Sequence, residues 1–127
     1  MPWSDAEKAA FLEMQFDAQD RWYRVQYPQA TFDVVVVDGE PAGRLYVNRG
    51  EAEVRIVDIA LLPDHRGRGI GGSLLRTLLA EADAGGKSVT IHVERLNPAL
   101  RLYESLGFSV AEDKGVYLFL ERPARSM

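Results

Sequence analysis

Four glycines within six residues, with two arginines beside and among them, single out Pro63-Asp64-His65-Arg66-Gly67-Arg68-Gly69-Ile70-Gly71-Gly72-Ser73. Glycines let backbone amides turn toward a ligand with no Cβ in the way, and a helix opening at the same point aims its free amides and positive dipole end there. Each glycine costs about 1 kcal/mol relative to alanine at a helical position, so four together need a reason. An anion supplies one, and two guanidinium forks make a phosphate or pyrophosphate the natural choice. A nucleoside-triphosphate loop is excluded by Gly72, which stands before Ser73 where that motif needs lysine. Gly67, Gly69 and Gly72 also satisfy G-x-G-x-x-G, with Glu94 on the following strand as a possible ribose partner.

The elements around this loop decide between the two phosphate readings. Ser4 and Glu7 can close a capping box at the start of a helix over residues 5–26, whose stripe of Phe11, Met14, Ala18 and Trp22, widened by Phe16 and Tyr23, is expected in the core. Phe32 to Val37 and Gly43 to Val47 form a hairpin about Asp38-Gly39, and Glu53 to Leu62 is a third antiparallel strand ending at Pro63. From Ile70 the period changes to 3.6, through Leu74, Leu75, Leu78, Leu79 and Ala82 to a stop at Gly85-Gly86. A strand at Ser88 to Glu94, a short helix over Pro98 to Leu106 and a hairpin of Phe108 to Ala111 with Val116 to Leu120 complete the order. The fold class is α/β in the α+β sense: a mixed, mostly antiparallel sheet with one parallel βαβ crossover, between Leu62 and Ser88. A dinucleotide fold needs a doubly wound parallel sheet, which one crossover cannot build.

Arg66-x-x-Gly69-x-Gly71 at a strand-to-helix junction, then Asn97-Pro98-Ala99, then Leu102-Tyr103-Glu104-Ser105-Leu106-Gly107-Phe108 together resemble the GNAT superfamily of acetyl-CoA-dependent N-acetyltransferases. The resemblance covers residues 33–120 and implies an acyl-CoA N-acyltransferase fold, with residues 1–127 as a single domain. It further implies that the backbone of Arg66, Gly67, Arg68, Gly69, Ile70, Gly71 and Gly72, with Ser73 beside it, holds the coenzyme A pyrophosphate. The preceding strand would splay from its parallel neighbour, so that the pantetheine arm lies against Ile59, Leu61 and Leu62. Asn97 would face that arm, and Tyr103 would protonate the departing thiolate. The family usually begins with a strand and two helices before the strand represented by Phe32 to Val37. Only one helix fits here, so the first strand and one helix are expected to be missing. Phe32 to Val37 then becomes a sheet edge, to be covered either by a homodimer or, in a monomer, by the N-terminal helix carrying Phe11, Trp22 and Tyr23.

Acyl transfer from a thioester to an amine needs a neutral amine, donors for the developing oxyanion and a proton for the thiolate, and no covalent nucleophile. A chain without cysteine suits that chemistry, and a phenol such as Tyr103 is a reasonable donor to a thiolate. The general base departs from the family pattern, because Arg55 stands where many members carry glutamate. Glu53, two residues earlier on the same face, and His92 on the neighbouring strand are candidates, with water as the remaining acceptor. Strict alternation puts Asp58 on the opposite face, where it is expected to anchor a turn or to pair with Arg55 or Arg44.

Composition sets the outer bounds. At 127 residues, 46% hydrophobic and 27% charged, the chain suits one globular domain, and its longest apolar runs fall far short of a membrane span. Zero cysteines and two histidines, His65 and His92, argue against disulfides and metal sites. The net charge of -4 argues against nucleic acid, although residues 66–127 carry 9 basic against 7 acidic side chains and could hold an anion. The first residues have neither a basic start nor an apolar stretch, which points to the cytoplasm. The reading is an N-acetyltransferase acting from acetyl-CoA on a primary amine, without metal, nucleic acid or membrane as partner. Its rivals are a non-catalytic coenzyme A or acyl-CoA binding module and, more remotely, a dinucleotide-binding domain.

Overall fold

A computed structural model describes residues 20–125. Residues 20–26 are helical, here α1, so the last turns of the first predicted helix are present. Its capping box at Ser4 and Glu7 and its stripe residues Phe11, Met14, Phe16 and Ala18 lie outside the described residues. The strands are β1 (Thr31–Val37), β2 (Glu40–Arg49), β3 (Glu53–Leu61), β4 (Ser88–Glu94), β5 (Ser109–Asp113) and β6 (Tyr117–Arg122). Helix α2 (Ile70–Ala84) joins β3 to β4, and α3 (Leu100–Ser105) follows β4.

The six strands form one sheet in the order β1-β2-β3-β4-β6-β5, and β3–β4 is the parallel pair. Asp38 and Gly39, at φ 52° and 81°, supply the two left-handed residues that a tight hairpin twisted like its strands requires. Helix α3 begins two residues later than the proline suggested. The reason is local: Asn97 Oδ1 accepts the Ala99 amide at 2.8 Å and Asn97 O accepts the Leu100 amide at 3.1 Å, so Pro98-Ala99 is spent on a turn.

One face of the sheet carries the core. Val47, Val54, Ile56, Val89, Ile91, Val93, Leu118 and Leu120 meet Leu75, Leu78, Leu79 and Ala82 of α2 and Tyr103 of α3. The other face receives α1. Tyr23 packs edge-on to Tyr46 at 5.8 Å, the Tyr46 hydroxyl donates to Asp20 at 3.0 Å, and Arg24 lies 4.3 Å over the Phe32 ring. Trp22 is not in the core as its stripe position suggested: it is 58% exposed.

The pairing of β3 with β4 stops early. It runs from Glu53↔Ser88 to Ile56↔Ile91, while β3 stays paired to β2 out to Leu61↔Gly43 and β4 to β6 out to Glu94↔Tyr117. Beyond Ile56 and Ile91 the two strands therefore diverge. A bulge sits at the branch point, because Val47 pairs with Ile56 and Tyr46 with Asp58, leaving Val57 as the extra residue that bends the strand. Gly43 permits the same departure from the other side: a Cβ there would lie 2.1 Å from Ala60 O and 2.9 Å from Leu61 Cα.

Candidate active site

The divergence of β3 and β4 opens a cleft of about 1040 Å³ that passes through the sheet. On the core face it is lined by Leu75 of α2, Ile91 and Val93 of β4, and Leu102 and Tyr103 of α3. On the α1 face it is lined by Tyr23, Asp58, His92, Lys114 and Tyr117.

The glycine loop lies at one end. Leu62 leads into a single 3-10 turn, Pro63–His65, after which Gly67 and Gly69 adopt φ 71° and 78°. A Cβ at either would meet nothing within 4 Å, so backbone conformation rather than crowding calls for glycine. Gly69 caps α2 without a side chain, and the first intrahelical bond is Ser73 N–H to Gly69 O at 3.0 Å. The amides of Ile70, Gly71 and Gly72 thus keep their donors for an anion. Arg66 donates from Nε to Leu61 O at 3.0 Å, tying the loop to the end of β3 and leaving its terminal nitrogens for a ligand, whereas Arg68 is exposed. Ile59, Leu61, Arg66 and Gly71 line the cleft directly. Across from them Asn97 has committed its Oδ1 to Ala99, so its amide NH2 is the group it offers.

Tyr103 stands midway. Its ring is edge-on to Phe108 at 5.6 Å, and its hydroxyl hydrogen-bonds to no described residue. Burial, and then the Asp58 charge, push its pKa up to about 12, so the phenol keeps its proton throughout the neutral range. Asp58 enters the cleft because of the bulge. Arg55 pairs with Asn48 and Asp58 with Tyr46, two positions apart on β2, so Arg55 and Asp58 share a face although they are three residues apart. This corrects the expectation from strict alternation. Asp58 forms an ion pair with the buried Arg44, whose guanidinium lies over the Tyr46 ring at 5.2 Å. Burial nevertheless holds the Asp58 carboxyl above its ordinary value, against the pull of Arg44.

The two sequence candidates for a base part company. Glu53 lies where β3 and β4 are still paired and does not line the cleft; it accepts hydrogen bonds from Thr90 and, at 2.9 Å, from Arg55 Nη2, and the Thr90 bond leads in holding its carboxyl low. His92 does line the cleft, its ring 4.8 Å from Phe119 and its Nε2 3.3 Å from Lys114 Nζ. Burial, then Arg55 and Lys114, lower its pKa and keep the imidazole neutral at pH 7. Sequence reasoning did not place Trp22, Tyr27, Lys114 and Tyr117 at the cleft. The one usable signal was Trp22-Tyr23 near the end of an otherwise polar helical turn.

Comparison with known proteins adds three findings. The model of the acetyltransferase (GNAT) family matches residues 2–108. A mycothiol acetyltransferase of Corynebacterium aurimucosum is 45% identical over 67 residues, which are 51% of this chain and 21% of that protein, and one of Thermobifida fusca is 37% identical over 84 residues, 65% and 23% respectively. The chain thus spans less than a quarter of the length of these two relatives. Among solved structures, the ribosomal-protein-S18-alanine N-acetyltransferase of Escherichia coli superposes with a TM-score of 0.71 at 24% identity, covering 100% of this chain and 80% of that one. A GNAT family acetyltransferase of Elizabethkingia anophelis with acetyl-CoA bound gives 0.69 at 17% identity, covering 84% of each.

Proposed function

Because the chain belongs to the acetyltransferase (GNAT) family, we propose that it transfers an acetyl group from acetyl-CoA directly to a primary amine. The observation that carries this reading is the cleft through the sheet, which joins an anion-binding loop to a protonated phenol and a carboxylate. The amides of Ile70, Gly71 and Gly72, with Arg66 and Arg68, would hold the pyrophosphate. The unpaired edge of β3 at Ile59 to Leu62, and the Asn97 NH2, would hold the pantetheine arm. These groups leave the thioester beside Tyr103.

The amine approaches from the α1 face. Its nitrogen bonds to the acetyl carbon, the carbon–sulfur bond breaks, and Tyr103 gives its proton to the departing thiolate. We assign acceptance of the amine proton to Asp58, because unlike Glu53 it lines the cleft and unlike His92 it acts electrostatically on Tyr103. The test is release of free thiol from acetyl-CoA with a panel of amines, beside calorimetry with coenzyme A. Binding with thiol release supports the transfer. Binding without release on any amine selects the non-catalytic coenzyme A module, and absence of binding overturns both.

The homodimer expected from an uncovered strand belongs to the same proposal. It is supported by β1, the outer strand of the described sheet, whose Val34 and Val36 are 50% and 58% exposed. Light scattering that finds only a 14.2 kDa species at micromolar concentration would overturn it.

A further inference from the structure

Rings wall the end of the cleft that lies away from the glycine loop. Tyr23 is on α1, Tyr27 just after it, and Tyr117 opens β6, all lining the one cleft. Trp22 joins them, edge-on to Tyr23 at 5.3 Å. Of the eight large apolar side chains that the described residues leave exposed, Trp22 at 58%, Leu96 at 91% and Tyr117 at 49% line this cleft. Exposed apolar groups gathered round a concavity mark ligand contact, whereas singly scattered ones need no explanation.

The charges nearby argue against a polycation. Asp58 is already paired with Arg44, and the lining offers one further carboxylate, Glu94, beside two cations, Lys114 and Arg66. One ammonium can be satisfied by Asp58 and the faces of the phenol rings. Several could not.

On the reading that the chain acetylates amines, we infer that its acceptor is a primary amine carried on a flat apolar body, an arylalkylamine in its simplest form. The aromatic body lies between Trp22 on one lip and Tyr117 on the other, and the amine points down to Asp58 and Tyr103. Trp22 and Tyr117 then set specificity and take no part in the chemistry.

The experiment titrates 2-phenylethylamine, ethylamine and glucosamine calorimetrically into the protein saturated with coenzyme A, so that binding is read without turnover. Contact with two aromatic side chains should make 2-phenylethylamine at least about tenfold tighter than ethylamine. Trp22→Ala and Tyr117→Ala should each reduce most of that ratio, and Val25→Ala, on α1 and 75% exposed but outside the cleft, should leave it intact. Equal affinities, tighter binding of glucosamine, or no binding by any of the three would overturn the inference. Thiol release on the same amines separates the two readings. A ring preference without release overturns acetyl transfer and keeps the aromatic slot, while release with equal kcat/KM for ethylamine and 2-phenylethylamine overturns the slot and keeps transfer.

Discussion

Tyr103→Phe removes one oxygen from a buried ring and leaves its packing on Phe108 in place. If that hydroxyl serves only as the thiolate departs, turnover should fall by about a hundred- to ten-thousandfold while the affinity for coenzyme A barely changes. A loss under about threefold would return Tyr103 to a packing role. Asp58 gives a second prediction, through pH. Its folded-state pKa is raised, so it protonates more readily than a free aspartate, and a base that must be ionised loses activity as pH falls through that raised value. Asp58→Asn should lower kcat and remove this acid limb, and His92→Gln should leave the limb in place; a pH–rate profile compares them. The motif resemblance pointed to Tyr103, which does line the cleft, whereas nothing in the sequence brought Asp58 there. Side-chain direction in a strand follows from counting by twos, and one inserted residue at Val57 reverses the count without changing any residue type around it.

Loop and strand act together at the next scale, and Arg66 is their joint. Its Nε donates to Leu61 O at 3.0 Å and the residue lines the cleft, so Arg66→Ala should release the end of β3 as well as the proposed phosphate contact. Coenzyme A affinity should drop by about ten- to a hundredfold, as expected for one charge-assisted contact. Arg68→Ala should cost a similar factor through charge alone, leaving amide exchange at Leu61 and Leu62 unaltered while Arg66→Ala quickens it; hydrogen exchange followed by mass spectrometry reads the difference. The elements themselves were well marked in the sequence: alternating β-branched runs, the Asp38-Gly39 turn, the switch to helical period at Ile70 and the Gly85-Gly86 stop all recur in the structure. The splay of β3 from β4 was available only through family resemblance. Ile56 and Val57 have the same character, and nothing in that pair says where hydrogen bonding to β4 ends. Trp22 misled for a related reason, since an apolar residue at helical spacing looks the same whether it faces a core or an open cleft.

At the scale of the whole molecule, the far side of the sheet is fastened to the crossover helix by one ion pair. Arg122 of β6 is buried and donates from both terminal nitrogens to Asp83 of α2, at 2.8 and 3.1 Å, and from Nε to Leu106 O at 2.9 Å. The Arg125 amide adds a fourth bond, to Asp83 Oδ1 at 2.9 Å, so β6 and the segment after it meet on the Asp83 carboxylate of α2, while the end of α3 is held by the Arg122 guanidinium. The Arg122 hydrogen bond, followed by the Arg125 amide, lowers the Asp83 pKa from 3.8 to about 2. A carboxyl depressed in the folded state stabilises it fully above the unfolded value, and that contribution drains away as pH falls from near 3.8 through about 2. Asp83→Asn should therefore lower Tm clearly at pH 7, because the buried guanidinium loses an ionised partner. As pH descends through that window the gap between the two proteins should close, since protonation makes the native aspartate a neutral acceptor much like the asparagine. Thermal melts of both proteins from pH 7 to pH 2 check this, and a Tm difference that stays constant across the acid range would mean that the carboxylate's charge contributes nothing to holding the sheet and the helix together.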